Sequence, residues 1–457
     1  MKNAQDKTTQ RMLTEPVGSL ILKNAIPTVT SMLVTSVYNM ADTYFVSKLG
    51  TSASGAVGII FSLMAIIQAC GFTVGQGAGS LMSRALGGGN DKRASVLCST
   101  GILLALLFGG VIALFGTIFN TQIISHLGAT KTIFPYALDY SKCILLASPF
   151  MVSSFTMNNL LRFQGKAALS MIGLMTGGIL NIILDPLFIF VFGLGISGAA
   201  LATMISQTVS FSILLSMFVR KKSTAVLSIK SISVHPKIYA EILTTGFPSL
   251  LRQGMGALSA VFLNRAAGVW GDAAVAGMSI TTRVSMFLMS VGLGLGQGFQ
   301  PVCGMNYGAG EFKRVRNAYG FLVKTTFFIM LVLSIFVFFF SEKIVQTFRD
   351  DNDVILVGKT ALRFLCPVIP LHALIFSTNM LLQTTGQKKS AAFLSSLRQG
   401  LYFIPLILIF PRLFGIFGVQ ISQVAADFLT AATSLPFAVL FFKKLGNSTK
   451  NTPNESF

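Results

Sequence analysis

The chain has 457 residues, of which 53% are hydrophobic and 11% are charged, whereas soluble domains carry roughly 25% charged residues. The net charge of +20 would suit nucleic-acid binding in a soluble protein, but here the basic residues lie in short clusters between long apolar runs. This composition excludes a soluble domain, a disordered chain and a disulfide-rich secreted scaffold. It predicts a polytopic membrane protein with the lipid bilayer, and no nucleic acid, as its partner.

A helix needs about 20 apolar residues to cross the ~30 Å hydrocarbon core of a bilayer. The apolar runs of this chain are continuous and too long for the alternating strands of a membrane barrel. They therefore predict an all-α fold with twelve transmembrane helices. In chain order, the predicted spans are Leu20–Phe45, Ala56–Leu81, Val96–Ile118, Phe134–Leu160, Leu169–Phe192, Ile196–Phe218, Glu241–Ala267, Val275–Gln300, Ala318–Phe340, Val354–Gln383, Ala391–Phe410 and Phe414–Phe442.

The connections between these spans alternate in charge. The even-numbered connections carry 15 Lys and Arg residues and the odd-numbered ones carry 5. Basic connections stay on the cytoplasmic side during insertion. We therefore expect a multi-pass protein of the plasma membrane with both termini in the cytoplasm.

The two halves of the chain resemble each other. When the first half is shifted by 221 positions, the Gly-Gln-Gly segment at residues 75–77 falls on the same segment at 296–298. The polar connector Arg220–Lys237 separates the halves, which we predict as two lobes, residues 1–228 with spans one to six and residues 229–457 with spans seven to twelve. Six spans return the chain to the same side, so the repeat is parallel and leaves a cleft between the lobes, where transporters bind substrate.

Acidic residues inside a membrane span are expensive, at ~2.5–3.5 kcal/mol or more near the span centre, and usually mark function. Asp42 in span one and Asp185 in span five lie inside predicted spans. Asp139, Glu241 and Asp427 are placed nearer to the ends of theirs. Because the aligned positions of the second half carry no acid, we expect buried acids in the first lobe only.

The sequence around Asp185 is rich in oxygen ligands. Asn181 and Asp185 are four residues apart and share one helix face. Pro186 has no N–H group, so the carbonyl of Ile182 loses its helical partner, and Thr203 in span six adds a hydroxyl. Such hard oxygen ligands suit Na⁺ or H⁺ rather than soft metals. A polar cluster that only holds helices together remains an alternative.

Pro27 is a candidate hinge. It lies about one turn into span one, where it removes a helical hydrogen bond and permits a bend, so we predict a hinge there. A static kink is the alternative.

The sequence has no phosphate-binding loop, no zinc-binding His-Glu-x-x-His and no nucleophile elbow. We therefore expect neither an enzyme nor an ATP-driven pump, and an ion gradient as the energy source.

With these features, the sequence resembles the multidrug and toxic compound extrusion family of antiporters over nearly its whole length. The resemblance rests on the two six-span lobes, on Pro27 with Asp42 in span one, on the Gly-Gln-Gly segments, and on Asn181 with Asp185-Pro186 in span five and Thr203 in span six. In the prokaryotic type of this family the first lobe holds a cation site. The resemblance places that site at Asp42, Asn181, Asp185 and Thr203, with Tyr140 of span four as a neighbour.

The resemblance implies secondary active multidrug efflux, in which mostly cationic amphipathic compounds leave the cell in exchange for H⁺ or Na⁺. The overall pattern looks most like the exporters of Gram-positive bacteria. The expected partners are small-molecule drugs and dyes, the only expected cofactor is the coupling ion, and the expected functional unit is a monomer.

Three other functions stay open from the sequence. A lipid-linked oligosaccharide flippase of the same superfamily would use basic residues of the second lobe to face an anionic pyrophosphate. A channel is disfavoured because no pore loop repeats. An intramembrane enzyme lacks a nucleophile, base or metal constellation. The basic residues considered for the flippase are Arg252, Arg283, Lys324, Arg363 and Arg398.

Overall fold

The computed structural model describes the backbone of residues 2–450 and the side chains of residues 8–447, and every regular element in this part of the chain is helical. The α-helices are α1 Lys2–Thr14, α2 Val17–Ser47, α3 Thr51–Gly87, α4 Asp91–Ile118, α5 Asn120–His126, α6 Phe134–Phe163, α7 Ala167–Pro186, α8 Gly195–Val219, α9 Pro236–Gly268, α10 Asp272–Gly308, α11 Phe312–Phe348, α12 Asn352–Leu365, α13 His372–Thr384, α14 Lys388–Ser396, α15 Phe403–Phe414 and α16 Ile416–Lys450.

Eleven helical segments in the described part of the chain are long and apolar enough to cross a membrane. The remaining predicted span corresponds to α9, which is 33 residues long but carries Glu241, Arg252 and Arg265. The all-helical fold confirms the predicted fold class. Two short helices outside the predicted spans were not foreseen: α1 precedes the first span, and α5 follows the third.

Three of the predicted spans are interrupted, where the sequence pattern predicted continuous helices. After α7 the chain forms a π-helix at Leu187–Val191, directly behind Pro186. Between α12 and α13 it forms a 3₁₀-helix at Cys366–Leu371, which contains two prolines. A second π-helix at Leu397–Leu401 joins α14 to α15. Proline removes a helical donor, and single π-turns often mark functional sites.

The two lobes meet through small residues. Helix α2 packs against α10, and α3 packs against α9. A Cβ atom on Gly77 would collide with the backbone oxygen of Ile242, and one on Gly246 would collide with the backbone oxygen of Thr73. Glycine lets the backbones of two membrane helices approach this closely.

The same contact occurs twice across the lobe interface. Gly87 packs on the backbone of Met305, and Gly308 packs on the backbone of Arg84, so each pair is the other shifted by 221 positions. Both contacts lie at the ends of α3 and α10, which the predicted topology places in the cytoplasm. The lobes are therefore closed at that end, and a passage between them would open on the opposite side.

A chain of polar side chains crosses the lobe interface in the same region. Gln300 donates to Gln76 at 2.8 Å, and Gln76 donates to Asn159 at 3.1 Å. Arg162, which the charge count assigned to a cytoplasmic connection, is 2% exposed and donates to Asn159 and to Gln297. The arginine lies between the lobes because amide oxygens of both lobes accept its donors.

The connector between α8 and α9 packs against the first lobe. The Gln164 side-chain oxygen accepts from the Ser223 hydroxyl at 2.8 Å, and the Val226 N–H donates to Ser95 at 3.1 Å. The predicted lobe boundary at residues 228 and 229 lies in this connector and stays a prediction.

Candidate cation site

Five polar residues from four helices of the first lobe come together in its interior. Helix α2 contributes Asp42, α6 contributes Tyr140, α7 contributes Asn181 and Asp185, and α8 contributes Thr203. All five are buried, and Asp42 is the most exposed of them at 8%. These are the residues that the sequence analysis assigned to a cation site, and the fold places them in one cluster.

Hydrogen bonds connect the cluster. The Tyr140 hydroxyl donates to Asp42 Oδ2 at 3.4 Å. The Asn181 amide donates to Asp185 Oδ1 at 3.1 Å and lies 3.3 Å from the Thr203 hydroxyl oxygen. The amide nitrogen of Asn181 therefore orients one carboxylate oxygen of Asp185.

Three buried oxygens of the cluster have no hydrogen-bond partner in the described part of the chain: Asp42 Oδ1, Asn181 Oδ1 and Asp185 Oδ2. Neither carboxylate has an ion-pair partner there. An unpaired buried charge is costly unless a counter-charge accompanies it. The donor set of two carboxylates, an amide oxygen and a hydroxyl fits a proton or a hard cation such as Na⁺.

Local structure explains the position of Asp185. Asn181 and Asp185 lie on one face of α7 because a helix brings residues four apart together. Pro186 ends the regular hydrogen-bonding pattern, and the chain continues as the π-helix Leu187–Val191. Asp185, which is fully buried, is thus held at the junction of two helix types.

The sequence analysis missed other polar residues near the cluster. Tyr38, four residues before Asp42 on α2, lies within electrostatic range of both carboxylates, and its ring packs beside Gly178. The spacing of four could have indicated it. On α8 the buried side-chain oxygens of Ser206 and Ser210 also have no partner in the described part of the chain. They extend the polar face that begins at Thr203.

Pro27 lies within α2, which is a single helix from Val17 to Ser47. On either side of it, Ala25 packs against Gly298 and Val29 packs against Gly294, both on α10 of the other lobe. Pro27 is therefore part of the lobe interface, about 22 Å along the helix from Asp42 at 1.5 Å per residue. Its action as a hinge stays a prediction.

The expectation of buried acids in the first lobe only was wrong. Asp427 on α16 is fully buried, with Arg398 and His372 as its neighbours. Arg398 Nε donates to Asp427 Oδ1 at 2.8 Å. The sequence pattern placed Asp427 near a span end, and it gave no sign of these partners, because they come from two other helices.

The basic residues considered for a pyrophosphate site have separate surroundings. Arg398 pairs with Asp427, Arg252 contacts Asn379 and Ser249, and Arg363 contacts Ser341. Arg283 and Lys324 are exposed on α10 and α11. This distribution over five helical elements does not favour a shared site for an anionic headgroup.

Comparisons with known proteins give a consistent picture. A family model described as MatE matches residues 27–187 and 245–409, one segment in each half, which agrees with the two-lobe repeat. The multidrug export protein MepA of Staphylococcus saprophyticus is 28% identical over 423 residues, covering 92% of this chain and 93% of that protein. MepA of Staphylococcus aureus is 28% identical over 431 residues, covering 94% of this chain and 95% of that protein.

A solved structure shares the whole fold. The structure titled "Outward-facing conformation of a multidrug resistance MATE family transporter of the MOP superfamily" has a TM-score of 0.91 and 26% identity, covering 96% of this chain and 98% of that one. The similarity spans both lobes, so the twelve-span arrangement is a shared architecture and not a local likeness.

Proposed function

Because the chain belongs to the MatE family, we propose that it exports amphipathic organic compounds, mostly cationic ones, across the membrane in exchange for H⁺ or Na⁺. The names of its relatives support multidrug compounds as the cargo. One structural observation supports the exchange: two buried carboxylates, Asp42 and Asp185, lie in a single cluster without a basic partner in the described residues. Such a cluster requires a cation while both acids are ionised.

The proposed exchange begins with the lobes closed on the cytoplasmic side. A cation entering from outside binds between Asp42 and Asp185 and removes their mutual repulsion. Helix α2, which carries Asp42, then repacks and bends near Pro27, so that its contact with α10 changes as well. Bound drug loses part of its site and leaves. Linkage is reciprocal, so bound drug must weaken cation binding by the same factor.

The energy available is sufficient for concentrative export. One charge that moves through 100 mV supplies ~2.3 kcal/mol, and one pH unit adds ~1.36 kcal/mol. Together they support a drug concentration gradient of roughly a few hundred-fold per cation, because each ~1.4 kcal/mol corresponds to a tenfold concentration ratio.

The proposal includes the plasma membrane as location, both termini in the cytoplasm and a functional monomer. The connector between the lobes tests the orientation, because Lys230 lies at its 3₁₀-turn. A cysteine at position 230 should react with a membrane-impermeant thiol reagent in inverted vesicles and not in intact cells.

The central experiment is dye efflux into inverted vesicles with a pH gradient and a Na⁺ gradient imposed separately. Asp185→Asn should abolish uphill transport under both gradients, since Asp42 alone would supply only one of the two carboxylates that the proposed exchange uses. Asp139→Asn is the matched control, because Asp139 on α6 is exposed and pairs with the neighbouring Lys142 at 3.3 Å.

Uphill efflux by Asp185→Asn at the parent rate would contradict the assignment of the site. Rescue of a strain deficient in glycan-lipid export, without any dye transport, would instead support the flippase.

A further inference from the structure

The second lobe contains a buried acid–base cluster that the proposed exchange does not use. It consists of His372 at the start of α13, Arg398 in the π-helix between α14 and α15, and Asp427 on α16. His372 and Asp427 are fully buried, and the Arg398 side chain is 11% exposed. Ionisable residues in the interior of a membrane protein are rare and usually functional.

Irregular backbone positions two of the three residues. The 3₁₀-helix Cys366–Leu371 ends directly before His372, and Arg398 is the second residue of the π-helix Leu397–Leu401. Asp427 faces them from a regular part of α16. Breaks in two neighbouring helices at the residues that contact one carboxylate indicate a built site, because each break costs helical hydrogen bonds.

The hydrogen bonds of Asp427 leave one oxygen for the histidine. Oδ1 accepts from Arg398 Nε at 2.8 Å and from the Gln423 amide at 2.7 Å. Oδ2 lies 3.1 Å from His372 Nε2. The pair does not have hydrogen-bond geometry, and neither atom has a hydrogen-bond partner in the described part of the chain. The two donors on Oδ1 favour the ionised carboxylate.

The other ring nitrogen of His372 fixes the tautomer. Nδ1 lies 3.0 Å from the backbone carbonyl of Ile369, which only accepts hydrogen bonds, so Nδ1 must carry a hydrogen. A neutral ring would then place the Nε2 lone pair 3.1 Å from the lone pairs of Asp427 Oδ2. A proton on Nε2 converts this repulsion into an attraction between opposite charges.

We propose that His372 and Asp427 form a second proton site, in which a proton on imidazole Nε2 makes the ring the ion-pair partner of carboxylate Oδ2. The step is a simple protonation: neutral His372 takes a proton from hydronium, which leaves water, and becomes an imidazolium. The proton returns to water in the reverse step. Arg398 offsets the carboxylate charge while the proton is absent and keeps Asp427 in place.

The ionisable groups that contact Asp427 are Arg398 and His372. The other ionisable residues on the helices around the cluster have separate contacts or are exposed. Three basic residues donate to neutral groups: Arg252, Arg363 and Lys388. Two tyrosines bond to threonines, Tyr319 to Thr378 and Tyr402 to Thr433, and Lys359 pairs with Glu342. The remaining basic residues are exposed: Arg283, Lys324, Lys389 and Arg412. The proton on His372 is therefore governed by its own cluster.

The chain offers a clean test because it has three histidines, and the other two, His126 and His235, are exposed. The variant His126→Gln/His235→Gln keeps His372 as its single histidine. Nitrogen-15 NMR of the labelled ring in detergent micelles should show both ring nitrogens protonated at about pH 7, and Asp427→Asn in this background should restore a neutral ring. A neutral ring in the parent, or an unchanged spectrum after Asp427→Asn, would overturn the proposal.

A transport measurement separates this site from the first-lobe cluster. His372→Gln keeps a donor toward Asp427 but cannot titrate, so the pH profile of dye efflux should lose one step, while Asp185→Asn leaves the NMR signal of His372 unchanged. A His372→Gln profile with the parent shape would show that the histidine only supports packing. The spectroscopic result does not depend on transport, so it stands even if the proposed exchange fails.

Discussion

The two lobes share a repeat and a set of interface contacts, yet their polar interiors differ. The first lobe has two carboxylates, Asp42 and Asp185, with no basic partner in the described part of the chain. The second has one carboxylate, Asp427, between an arginine and a histidine. The first cluster lacks a positive charge that must come from outside, and the second contains its own. The difference suggests that the first lobe binds the coupling cation, whereas in the second lobe Arg398 balances the charge of Asp427 even before the proposed proton binds at His372.

The largest expected effect contrasts the stability of the two clusters. Asp427→Asn leaves Arg398 buried without a counter-charge, and it should lower the free energy of unfolding by about 3–5 kcal/mol. Asp185→Asn removes an unpaired buried charge and should leave the stability unchanged or raise it. Thermal unfolding of the purified protein in detergent, without a cation gradient, measures both.

A double substitution checks that the loss comes from the unpaired arginine. Arg398→Met combined with Asp427→Leu replaces the pair by apolar groups and should recover much of the stability. If Asp185→Asn and Asp427→Asn lowered the free energy of unfolding equally, both clusters would be structural and the contrast between the lobes would disappear.

The second prediction concerns what the lobes have in common. Gly87→Ala and Gly308→Ala each place a methyl group against the backbone of the other lobe. Both should weaken the cytoplasmic contact by about 1–3 kcal/mol, and by the same amount, because the two contacts are related by the repeat. Distances between spin labels at the ends of α3 and α10 should increase in both variants.

Gly110→Ala serves as the control, since a Cβ atom there meets no neighbour within 4 Å. If the distance between the spin labels increased in only one of the two interface variants, the lobes would not be equivalent at this contact.

The third prediction tests an oxygen of the first-lobe cluster. Thr203→Val keeps the shape of the side chain but removes the hydroxyl beside Asn181. Cation binding should lose about 1 kcal/mol of favourable free energy, which should raise the cation concentration for half-maximal efflux roughly fivefold. Thr208→Val on the same helix is the control, because that hydroxyl donates to the backbone carbonyl of Met204 at 2.8 Å, within its own helix. The same change in both variants would exclude Thr203 from the site.

The smallest expected effect concerns an exposed ion pair, which gives a reference for the buried ones. Hydrogen bonds from Arg11 and Lys23 lower the pKa of Glu15 and connect α1 to α2. The stabilisation is present above the ordinary glutamate range and is lost as the pH falls through the lowered pKa.

Glu15→Gln should leave efflux at neutral pH unchanged and should remove the acid-induced movement of α1, measured with a fluorophore on that helix. A clear loss of transport in this variant would mean that α1 takes part in the exchange.

Much of the first-lobe site could be predicted from the sequence. Asn181 and Asp185 are four residues apart, and a charged residue in an apolar run has few structural explanations. The second-lobe cluster could not be predicted in this way. Asp427 and Arg398 are 29 positions apart, and nothing in either segment indicates that the two helices meet at these residues.

Other features of the structure were missed by the sequence analysis because they depend on contacts or backbone geometry that a single segment does not reveal. Arg162 belongs by sequence to a basic connection, but amide groups of two lobes accept its donors and keep it buried. The interruption of the eleventh span also escaped the pattern, because an apolar run has the same composition whether its backbone is α or π. The interruption of the tenth span could have been predicted from Pro367 and Pro370.

The sequence by itself determined the membrane class, the spans, the repeat and the position of two acids in apolar runs, because each is a property of a continuous segment or of its spacing. The tertiary structure alone decided which buried charges have a partner, since that depends on distances of a few ångströms between side chains of different helices. For this protein that distinction separates the proposed cation cluster around Asp42 and Asp185 from the paired Asp427.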